Sequence, residues 1–485
     1  MLNETRSPSC ALSLRKQRIR RLSDDMARDR ERWLKKAASF HDEDLLYLKY
    51  LIPEGERVLE LGCGNGHLLA DLKPSFGVGV DFSEAMIAEA RKRYPHLSFV
   101  AGDIEDHSVL SSLPGPFDTI LIVDTVGSLD DCQGLFESLH TLCTRETRIV
   151  IAYFSHLWYP ALKFSELIGL RMRQPPQNVL SPANVSDLVA LADFETVKTE
   201  VRLLSPFRML GIGRLVNRFL ASLPLIRNLC LRHYSVCRSL RHLDRTVGSA
   251  TIVIPTRNER DNIEAAVRRI PRFTDDLEII FVEGHSKDGT WDEIVRVKAA
   301  YPDLDIKALR QGGKGKADAV FTGFDVARGD VLMILDADLT VPPEQLPKFW
   351  DAIKSGKGEF INGSRLVYPL EEQAMRFLNL VANKLFSIIF TWLLSQRLTD
   401  TLCGTKALRR ADYERLKAGR SYFGDFDPFG DYDLLFGSAK LNLKLVEIPI
   451  RYASRTYGET QISRFRHGFM LMRMVLFAYL RIKAL

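Results

Sequence analysis

The chain has 485 residues, too many for one ordinary hydrophobic core, so its length predicts two or three domains. Its composition, 46% hydrophobic and 26% charged, is typical of folded soluble proteins, and a net charge of +6 is too small to indicate nucleic-acid binding. Seven scattered cysteines form no CxxC pair and no Cys/His cluster, which favours a reducing compartment over a disulfide framework.

Residues 1–39 form a basic extension that contains no apolar signal-peptide core. Its arginines and lysines are concentrated at Arg15, Lys16, Arg18, Arg20 and Arg21. We expect this stretch to be solvated or loosely helical. The alternative is a contact with anionic lipid headgroups, which attract basic residues.

Two α/β units follow, each with an apolar first strand and then alternating strands and amphipathic helices. The first strand of one unit is Arg57–Leu61, and that of the other is Ala250–Ile254. We therefore predict one domain at residues 40–240, a short basic linker at 241–248 and a second domain at 249–485.

A glycine-rich loop follows the first strand, in the sequence ELGCGNG at 60–66. Gly62, Gly64 and Gly66 let the main chain turn sharply and let a ligand approach the backbone closely. The second strand ends in Asp81, whose carboxylate can accept both hydroxyls of a ribose. The third strand is followed by Asp103, which could reach an adenine amino group, and the fourth ends at Asp124.

This order of strands, glycines and acids resembles the class I S-adenosylmethionine-dependent methyltransferases, whose ExGxGxG motif cradles the cofactor. The resemblance implies a Rossmann-like fold. It also implies a cofactor site made of Glu60, Gly62, Gly64, Gly66, Asp81, Asp103, Ile104 and Asp124. A dinucleotide-binding dehydrogenase is the main competitor, but its glycines follow GxGxxG rather than GxGxG.

The sequence does not identify the group that receives the methyl. Methyl transfer needs an oriented nucleophile and sometimes a base to remove its proton. Nominal candidates for the base are Asp124, His67, His107 and Tyr153, each of which is more simply explained as a surface or packing residue. A different class of function, a regulatory module that binds S-adenosylmethionine without turnover, also fits this domain.

Three motifs open the second domain. The loop PTRNE at 255–259 brings an acid to the start of a helix, and a buried strand at 277–284 carries Glu283 near its end. The run QGGKGK at 311–316 suits a diphosphate, because glycines bring amide donors close and lysine supplies charge.

The most informative motif of the second domain is GDVLMILDADL at 329–339. An apolar strand there delivers Asp336 and Asp338, and side chains two apart on a strand share a face. Both carboxylates could then bind one Mg²⁺ or Mn²⁺, which would neutralise the diphosphate leaving group of a nucleotide sugar.

In this order the motifs resemble the inverting family 2 glycosyltransferases of the GT-A fold. Residues 248–460 are similar in particular to the polyprenyl-phosphate sugar synthases, the dolichol-phosphate mannose and glucose synthase group. The resemblance implies that a UDP- or GDP-sugar binds Pro255, Thr256, Glu259, Glu283, Lys314 and Asp336. It places the metal on Asp336 and Asp338, and the acceptor phosphate on Arg365, Arg376, Lys406 and Arg455.

Two departures from that group stand out. The run VEGHS at 282–286 replaces a VDDGS-type sequence, so base recognition can differ. Thr340 stands where relatives often place a glutamine beside the metal.

The acceptor has two chemically distinct alternatives. A lipid phosphate is ionised at neutral pH and needs positive charge to hold it, whereas a glycan or small-molecule hydroxyl needs a carboxylate base. The acidic cluster Asp425, Asp427, Asp431 and Asp433 is the source of such a base. The catalytic candidates are therefore Asp336, Asp338, Arg365 and Asp431.

Two apolar stretches, near 374–395 and 464–485, are interrupted by polar residues and predict interfacial helices rather than membrane spans. Packing of both helices on the domain's own core is the alternative. The prediction is a bifunctional enzyme, cytoplasmic and peripheral on the inner face of the cell membrane, with no nucleic-acid partner. Its methyl acceptor would be a sugar, a lipid-linked intermediate or another small molecule.

Overall fold

The structure, a computed structural model, describes residues 13–368, 377–422, 430–453, 457 and 464–485, without the side chains at 377–380, 421, 431 and 464–469. The chain divides into two compact units, Met1–His242 and Leu243–Leu485. Each unit contains its own sheet covered by helices, so the predicted α/β class is confirmed for both.

The first unit alternates strands and helices along the chain. Its strands are β1 (Arg57–Leu61), β2 (Phe76–Asp81), β3 (Ser98–Ala101), β4 (Thr119–Val123), β5 (Arg148–Phe154), β6 (Phe194–Arg202) and β7 (Arg232–Ser239). Its helices are α1 (Leu14–Ala27), α2 (Arg30–Lys36), α3 (Ala38–Leu51), α4 (His67–Leu72), α5 (Glu84–Arg93), α6 (His107–Ser111), α7 (Cys132–Leu139), α8 (Tyr159–Leu167), α9 (Pro182–Leu191) and α10 (Ile212–Leu215).

The sheet of the first unit has the order β3-β2-β1-β4-β5-β7-β6. Strands β1 to β5 are parallel, and β7 runs antiparallel to both of its neighbours. Parallel strands are covered on both faces, which explains why β4 reads as the uninterrupted apolar run TILIV. The first five strands have the Rossmann order, so the loops after β1, β2 and β4 meet where the strand order reverses.

The basic N-terminal stretch forms helices that pack on this sheet unit, in its described part. Lys16 Nζ lies 2.8 Å from the carboxylate of Glu105, and Arg20 lies 2.6 Å from Glu84. Ser13 caps α1 by accepting from the amide of Lys16 at 3.1 Å. The stretch that we expected to be solvated or loosely helical is helical in its described part, and α1 is held on the first unit by these ion pairs.

The second unit also has alternating strands and helices. Its strands are β8 (Ser249–Thr256), β9 (Asp276–Glu283), β10 (Asp305–Arg310), β11 (Val331–Ile334), β12 (Phe360–Ser364), β13 (Lys406–Arg409) and β14 (Leu445–Pro449). Its helices are α11 (Ile263–Arg269), α12 (Thr290–Ala300), α13 (Gly315–Val326), α14 (Leu346–Lys354), α15 (Phe377–Leu394), α16 (Arg410–Ala418), α17 (Asp431–Lys440) and α18 (Arg464–Ala478).

The second sheet has the order β10-β9-β8-β11-β13-β12-β14, with β13 antiparallel to its neighbours β11 and β12. Strands β8, β9, β10 and β11 are parallel, so their following loops gather at one edge. The strand before the two aspartates ends at Ile334, and the chain then turns, with φ of 53° at Leu339. Our expectation that Asp336 and Asp338 share one face of a strand is therefore wrong, because both lie in this turn.

The two predicted interfacial stretches coincide with α15 and α18. Helix α15 buries Asn383, Phe386 and Phe390 and exposes Val381, Leu385 and Ile388. Helix α18 and the turn after it expose Met472, Leu476 and Leu480. Within the described part of the chain, every helix is too short or too polar to cross a bilayer.

Candidate active sites

The glycine loop after β1 is drawn tightly against its neighbours. Gly62 has φ of 81°, and a Cβ at that position would lie 2.1 Å from Thr125 Oγ1 on the loop after β4. Gly66 has φ of 75°, and a Cβ there would lie 2.6 Å from the ring of Phe99. Any larger residue at these two positions would clash as well as strain the backbone.

The carboxylate of Asp81 is oriented by two backbone amides. Its Oδ2 accepts from the amide of Gly64 at 2.7 Å, and its Oδ1 accepts from the amide of Ser83 at 2.9 Å. Each oxygen keeps a second lone pair, so the group can still accept two ligand hydroxyls. Burial raises the pKa of Asp81 despite these hydrogen bonds.

Glu60 lies beneath the glycine loop and is buried. Its Oε2 has no hydrogen-bond partner among the described residues. Burial, together with the nearby Asp81 carboxylate, raises the pKa of Glu60 to about 8. A buried polar atom without a partner, beside a perturbed acid, is characteristic of a ligand site.

These loops line a cleft that is open to solvent. The predicted cofactor residues that line it are Gly62, Gly64, Asp81, Asp103, Ile104 and Asp124. Glu60 and Gly66 shape it from behind. The buried acceptor at Glu60 and the paired acceptors at Asp81 fit an adenosyl cofactor that carries hydroxyl and amino donors.

The cleft also contains two cations that sequence reasoning missed, Lys16 and Arg30. Lys16 Nζ hydrogen-bonds to Asp103, the residue that we expected beside an adenine. Burial lowers the pKa of Arg30, although the nearby carboxylates of Asp124, Asp81 and Glu60 act in the opposite direction. Its Nε is buried and has no hydrogen-bond partner among the described residues. No motif marks either residue, since only the packing of α1 and α2 brings them to the cleft.

Asp124, one nominal methyl-transfer base, is already an ion-pair partner. It accepts from the fully buried guanidinium of Arg232, which also lies 3.2 Å from Asp44. Burial opposes the charge of Arg232, but these two carboxylates hold its pKa above the usual value. Asp124 is therefore held in place by Arg232, at a residue with φ of 54°.

A second cavity, also open to solvent, adjoins the cleft and shares Asp124, Gln174 and Gln177 with it. Ser155 and His156 line this cavity. Among the described residues, neither Ser155 Oγ nor His156 Nδ1 has a hydrogen-bond partner, and both atoms are buried. Other polar lining residues are Tyr153, Tyr159, Lys163, Glu166, Arg171 and Asn178.

The remaining nominal bases differ in position and protonation. Burial raises the pKa of Tyr153 to about 12, so its hydroxyl stays protonated at neutral pH although it lines the second cavity. Burial lowers the pKa of His67 to about 3, and that ring hydrogen-bonds to Asn65 at 3.1 Å. His107 is exposed at the start of α6.

In the second unit, the loops after β8 and β9 are joined into one wall. The amide of Asn258 donates to Ser286 Oγ at 2.9 Å, and the amide of Lys287 donates to Asn258 Oδ1 at 2.9 Å. The amide of Glu259 donates to Thr290 Oγ1 at 3.1 Å. These hydrogen bonds between side chains and backbone hold the two loops together as one wall. The wall begins directly after Pro255 and Thr256, the last residues of β8.

Glu283 ends β9 and is buried at the base of this wall, where it accepts from the amide of Ser286. The variant VEGHS run also connects to the glycine-rich loop, because His285 Nε2 lies 3.1 Å from the carbonyl of Gly313. Lys314 is exposed at the N-terminus of α13. The predicted nucleotide-sugar residues thus lie on loops that contact one another.

The two carboxylates after β11 have different partners. Asp336 forms an ion pair with Lys316 at 2.6 Å, and Asp338 accepts from Thr340 Oγ1 at 2.8 Å. Burial opposes ionisation of Asp336, but Lys316, with Lys406 and Arg365, holds its pKa below the usual value. Thr340, the departure noted in the sequence, therefore orients Asp338.

The segment 400–406 approaches Asp336 at Gly404. A Cβ on Gly404 would lie 2.1 Å from Asp336 Oδ2 and 2.3 Å from Lys316 Nζ. Glycine is therefore required for the contact that joins this segment to the first aspartate. Lys316 and Gly404 are site residues that we did not select, although Lys316 lies in the QGGKGK run at 311–316.

Two of the predicted acceptor cations, Arg365 and Lys406, already have partners within the protein. Arg365 forms a bidentate pair with buried Asp400 at 2.7 and 2.8 Å, and Asn383 donates to the same carboxylate at 2.9 Å. Lys406 is buried and donates to the carbonyl of Cys403. Arg376, Arg455, Asp425, Asp427 and the side chain of Asp431 lie outside the described residues.

The described residues contain no group of three or more His, Cys, Asp and Glu side chains able to hold a metal. Mg²⁺ in phosphate-transferring sites is typically held by one or two carboxylates, with substrate phosphates and water completing the shell. Asp336 and Asp338 fit that mode of binding, with Lys316 beside the first carboxylate.

Two family models match the chain: "Methyltransferase domain" at residues 52–186 and "Glycosyl transferase family 2" at residues 251–416. The dolichol-phosphate mannosyltransferase of Pyrococcus furiosus is 31% identical over 234 residues, which are 46% of this chain and 63% of that protein. The polyprenol monophosphomannose synthase of Mycolicibacterium smegmatis is 29% identical over 218 residues, 44% of this chain and 80% of that protein.

Among solved structures, a methyltransferase dependent on S-adenosylmethionine from Thermotoga maritima is 23% identical, with a TM-score of 0.33. The match covers 39% of this chain and 87% of that protein. The chain spans less than two thirds of the Pyrococcus relative. The first unit thus matches a methyltransferase domain model and the second unit a family 2 glycosyltransferase model, as the motifs predicted.

Proposed function

We propose that the second unit transfers a sugar from a UDP- or GDP-sugar to a polyprenyl phosphate, with inversion at the anomeric carbon. The first unit would transfer methyl from S-adenosylmethionine to a sugar, a lipid-linked intermediate or another small molecule. The observation that carries the first proposal is the contact of Asp336 with Lys316 and Gly404, which joins the donor-side carboxylate to the segment 400–406.

The donor would lie along the loops after β8, β9 and β11. Pro255, Thr256, Glu259 and Glu283 form the wall for the nucleoside, and Lys314 with the glycine amides of its loop faces the diphosphate. Asp336 and Asp338 would hold Mg²⁺ or Mn²⁺, which when bound supplies positive charge to the departing diphosphate. Lys316 supplies further positive charge at the same position.

The acceptor phosphate would enter against the segment 400–406. Because a phosphate monoester is already ionised at neutral pH, positive charge matters more than a general base. Arg365 and Lys406 contribute charge there, and Arg376 and Arg455 are the further candidates. The similarity to a dolichol-phosphate mannosyltransferase and to a polyprenol monophosphomannose synthase supports a lipid-phosphate acceptor.

A glycan or small-molecule hydroxyl is the alternative acceptor, with Asp431 as its general base. An Asp431→Asn variant distinguishes the two, because only the hydroxyl acceptor requires a base. The position of Asp431 at the start of α17, after Gly430, is the observation that keeps this alternative open.

In the first unit, the cofactor would occupy the cleft that contains Asp81, and the acceptor would occupy the adjoining cavity. Asp124 lies between the two and would orient the reacting groups. A module that binds S-adenosylmethionine without turnover is the alternative. Cofactor binding by the purified chain, with no methylated product from extract, would favour that module.

We further propose the domain limits 40–240 and 249–485, with the helices at 14–36 as an extension that packs on the first domain and with a linker at 241–248. We also propose peripheral attachment to the inner face of the cell membrane. The exposed apolar side chains of α15 and α18 support this attachment, since amphipathic helices can lie in the headgroup region.

The decisive experiment is sugar transfer from a panel of labelled UDP- and GDP-sugars to short-chain polyprenyl phosphate. Reactions contain Mn²⁺ or Mg²⁺, with and without a chelator, beside the Asp336→Asn, Asp338→Asn variant. We expect metal-dependent label in the lipid fraction that the variant loses. Transfer only to added glycans would refute the lipid-phosphate acceptor and make Asp431 the leading base.

A further inference from the structure

The segment between β6 and β7 of the first unit exposes a cluster of large apolar side chains. They are Phe207, Met209, Leu210, Ile212, Leu215, Phe219, Leu220, Leu225 and Leu229. Leu210 and Leu225 have relative exposures of 104% and 92%. Exposed apolar side chains concentrated in one segment of the chain are characteristic of an interaction site in a folded protein. We call the exposed side chains of residues 207–229 the β6–β7 surface.

The charge of this segment has one sign. Residues 203–231 contain four arginines, Arg208, Arg214, Arg218 and Arg227, and no aspartate, glutamate or lysine, which gives a net charge of +4. Arginines among exposed apolar side chains complement an anionic bilayer, whose headgroups attract the cations while apolar side chains enter the acyl boundary. Two of the four arginines, Arg208 and Arg214, also lie near Asp42 and Glu43 of α3, which offsets part of this charge.

The segment is held in place by specific contacts. Asn217 is buried, accepts from the amide of Ser205 at 2.8 Å and donates to the carbonyl of Ser205 at 2.8 Å. Arg208 pairs with Asp42 at 2.9 Å, and Arg214 lies 3.9 Å from Glu43. The two arginine contacts join the segment to α3, and the hydrogen bonds of Asn217 close the segment on itself.

The tip of the segment has an unusual backbone. Met209, Leu210 and Gly211 have φ of 43°, 56° and 96°, a left-handed run that side chains other than glycine rarely adopt. A Cβ on Gly213 would lie 1.8 Å from the carbonyl oxygen of Phe207, so the turn closes only around a glycine. This backbone strain keeps Leu210 projecting into solvent, which suggests a functional reason for the turn.

The β6–β7 surface continues toward the second cavity. Trp158 Nε1 donates to the carbonyl of Leu229 at 2.8 Å, which joins the segment to the region of α8. That region exposes Leu157, Phe164, Leu167 and Ile168, while its residues Tyr159 and Leu162 line the cavity.

We propose that the β6–β7 surface docks the methyltransferase unit on an anionic lipid bilayer. The docking itself does not depend on either proposed activity. The consequence of docking for the choice of methyl acceptor does rest on the proposed methyl transfer. The second cavity, proposed for the acceptor, would open at the bilayer and so favour an acceptor carried by a lipid over one free in solution.

The test uses the full chain with vesicles of phosphatidylcholine alone or mixed with phosphatidylglycerol. Hydrogen–deuterium exchange reports contact at residues 207–229 separately from contact through the second unit. We expect slowed exchange there only with the anionic vesicles. The Leu210→Asp, Leu225→Asp variant should lose this protection, with an affinity at the site lowered roughly tenfold or more.

An arginine variant tests the charge contribution. Replacing Arg218 and Arg227 by Gln should weaken vesicle binding at low salt by roughly fivefold per arginine, and high salt should remove the difference. Matched controls are Leu191→Asp, at an exposed leucine of α9, and Arg32→Gln, at an exposed arginine of α2. Both controls should bind like the unchanged chain.

Two outcomes would overturn the proposal. One is unchanged exchange at 207–229 at vesicle concentrations that sediment the chain, which would assign membrane contact to other residues. The other is protection that rises with protein concentration in the absence of vesicles, which would assign the surface to a second copy of the chain. Cofactor binding by each variant shows that the first unit remains folded.

Discussion

Lys316 Nζ lies 2.6 Å from the carboxylate of Asp336, the first of the two acids that follow β11. The lysine projects from the first turn of α13, directly after the glycine-rich loop. One ion pair therefore links the loop proposed for the diphosphate to the carboxylate proposed for the metal. Lys316 also holds the pKa of Asp336 below its usual value, against the effect of burial.

Replacing Lys316 by Met should move the acid limb of the pH–rate profile to higher pH. A depressed pKa keeps Asp336 ionised down to low pH, so removing the lysine raises that pKa and narrows the active range from the acid side. We expect sugar transfer at neutral pH to fall roughly 10- to 100-fold. The measurement is kcat/KM against pH.

Lys348→Met, on an exposed side chain of α14, is the control for the loss of one lysine. An acid limb that stays in place in Lys316→Met would show that the ion pair does not govern the protonation of Asp336.

Gly404→Ala should abolish most sugar transfer while the second unit stays folded. The added methyl would lie 2.1 Å from Asp336 Oδ2, so either the carboxylate or the segment 400–406 must move. Displacements of about 1 Å at a reacting centre can cost roughly 100-fold in rate. Gly248→Ala is the matched control, because a Cβ there has no heavy atom within 4 Å. Equal activity of both variants would contradict the proposed role of this contact.

Breaking the buried pair between Arg365 and Asp400 should destabilise the second unit strongly. Removal of one partner leaves an uncompensated buried charge, which costs about 3–5 kcal/mol. Arg365→Met should therefore lower the free energy of unfolding by about that amount, whereas Arg269→Met, from the exposed pair with Glu344, should cost about 1 kcal/mol or less. Denaturant unfolding measures both, and equal losses would show that Arg365 is not structurally paired in solution.

Glu60 should make the first unit less stable as pH rises. Its folded pKa of about 8 lies above the ordinary value of 4.5, so folding favours the protonated acid. The contribution of Glu60 to the free energy of unfolding is fully present below 4.5, the pKa of this side chain in the unfolded chain. It is lost between about pH 4.5 and 8, at up to ~1.4 kcal/mol per pH unit.

Glu60→Gln should flatten the pH dependence of the unfolding transition of the first unit. Thermal unfolding at several pH values, with Glu54→Gln at an exposed glutamate as control, tests this expectation. Identical slopes for Glu60→Gln and the unchanged chain would mean that Glu60 is ionised in the fold.

Arg30→Ala should weaken binding of S-adenosylmethionine. The buried guanidinium interacts with Asp124, Asp81 and Glu60 and lines the cleft, where it could bind the cofactor's carboxylate. A lost charged hydrogen bond costs about 1.5–3 kcal/mol, which corresponds to roughly a 10- to 150-fold rise in Kd. Calorimetry measures it, beside Arg32→Ala at an exposed position. An unchanged or tighter Kd would show that Arg30 does not contact the cofactor.

Local sequence was sufficient for the parts of this protein that depend on strands and their ends. The strand predicted at Arg57–Leu61 has those bounds in the structure, and β9 ends at Glu283. In parallel sheets the residues after neighbouring strands must meet at one edge, so the order of motifs was enough to predict both folds. The same argument failed at Asp336 and Asp338, because β11 stops at Ile334 and the chain turns.

Only the tertiary structure decided which residues complete the two sites. Lys16 and Arg30 reach the cofactor cleft because α1 and α2 pack over it, and Gly404 meets Asp336 across a long stretch of chain. From sequence alone, residues 207–229 contain no recognisable motif. Only the structure, in which Asn217 holds the segment closed, shows that its large apolar side chains are exposed. Strand ends follow from neighbouring residues, whereas these contacts depend on packing between distant ones, which no local pattern encodes.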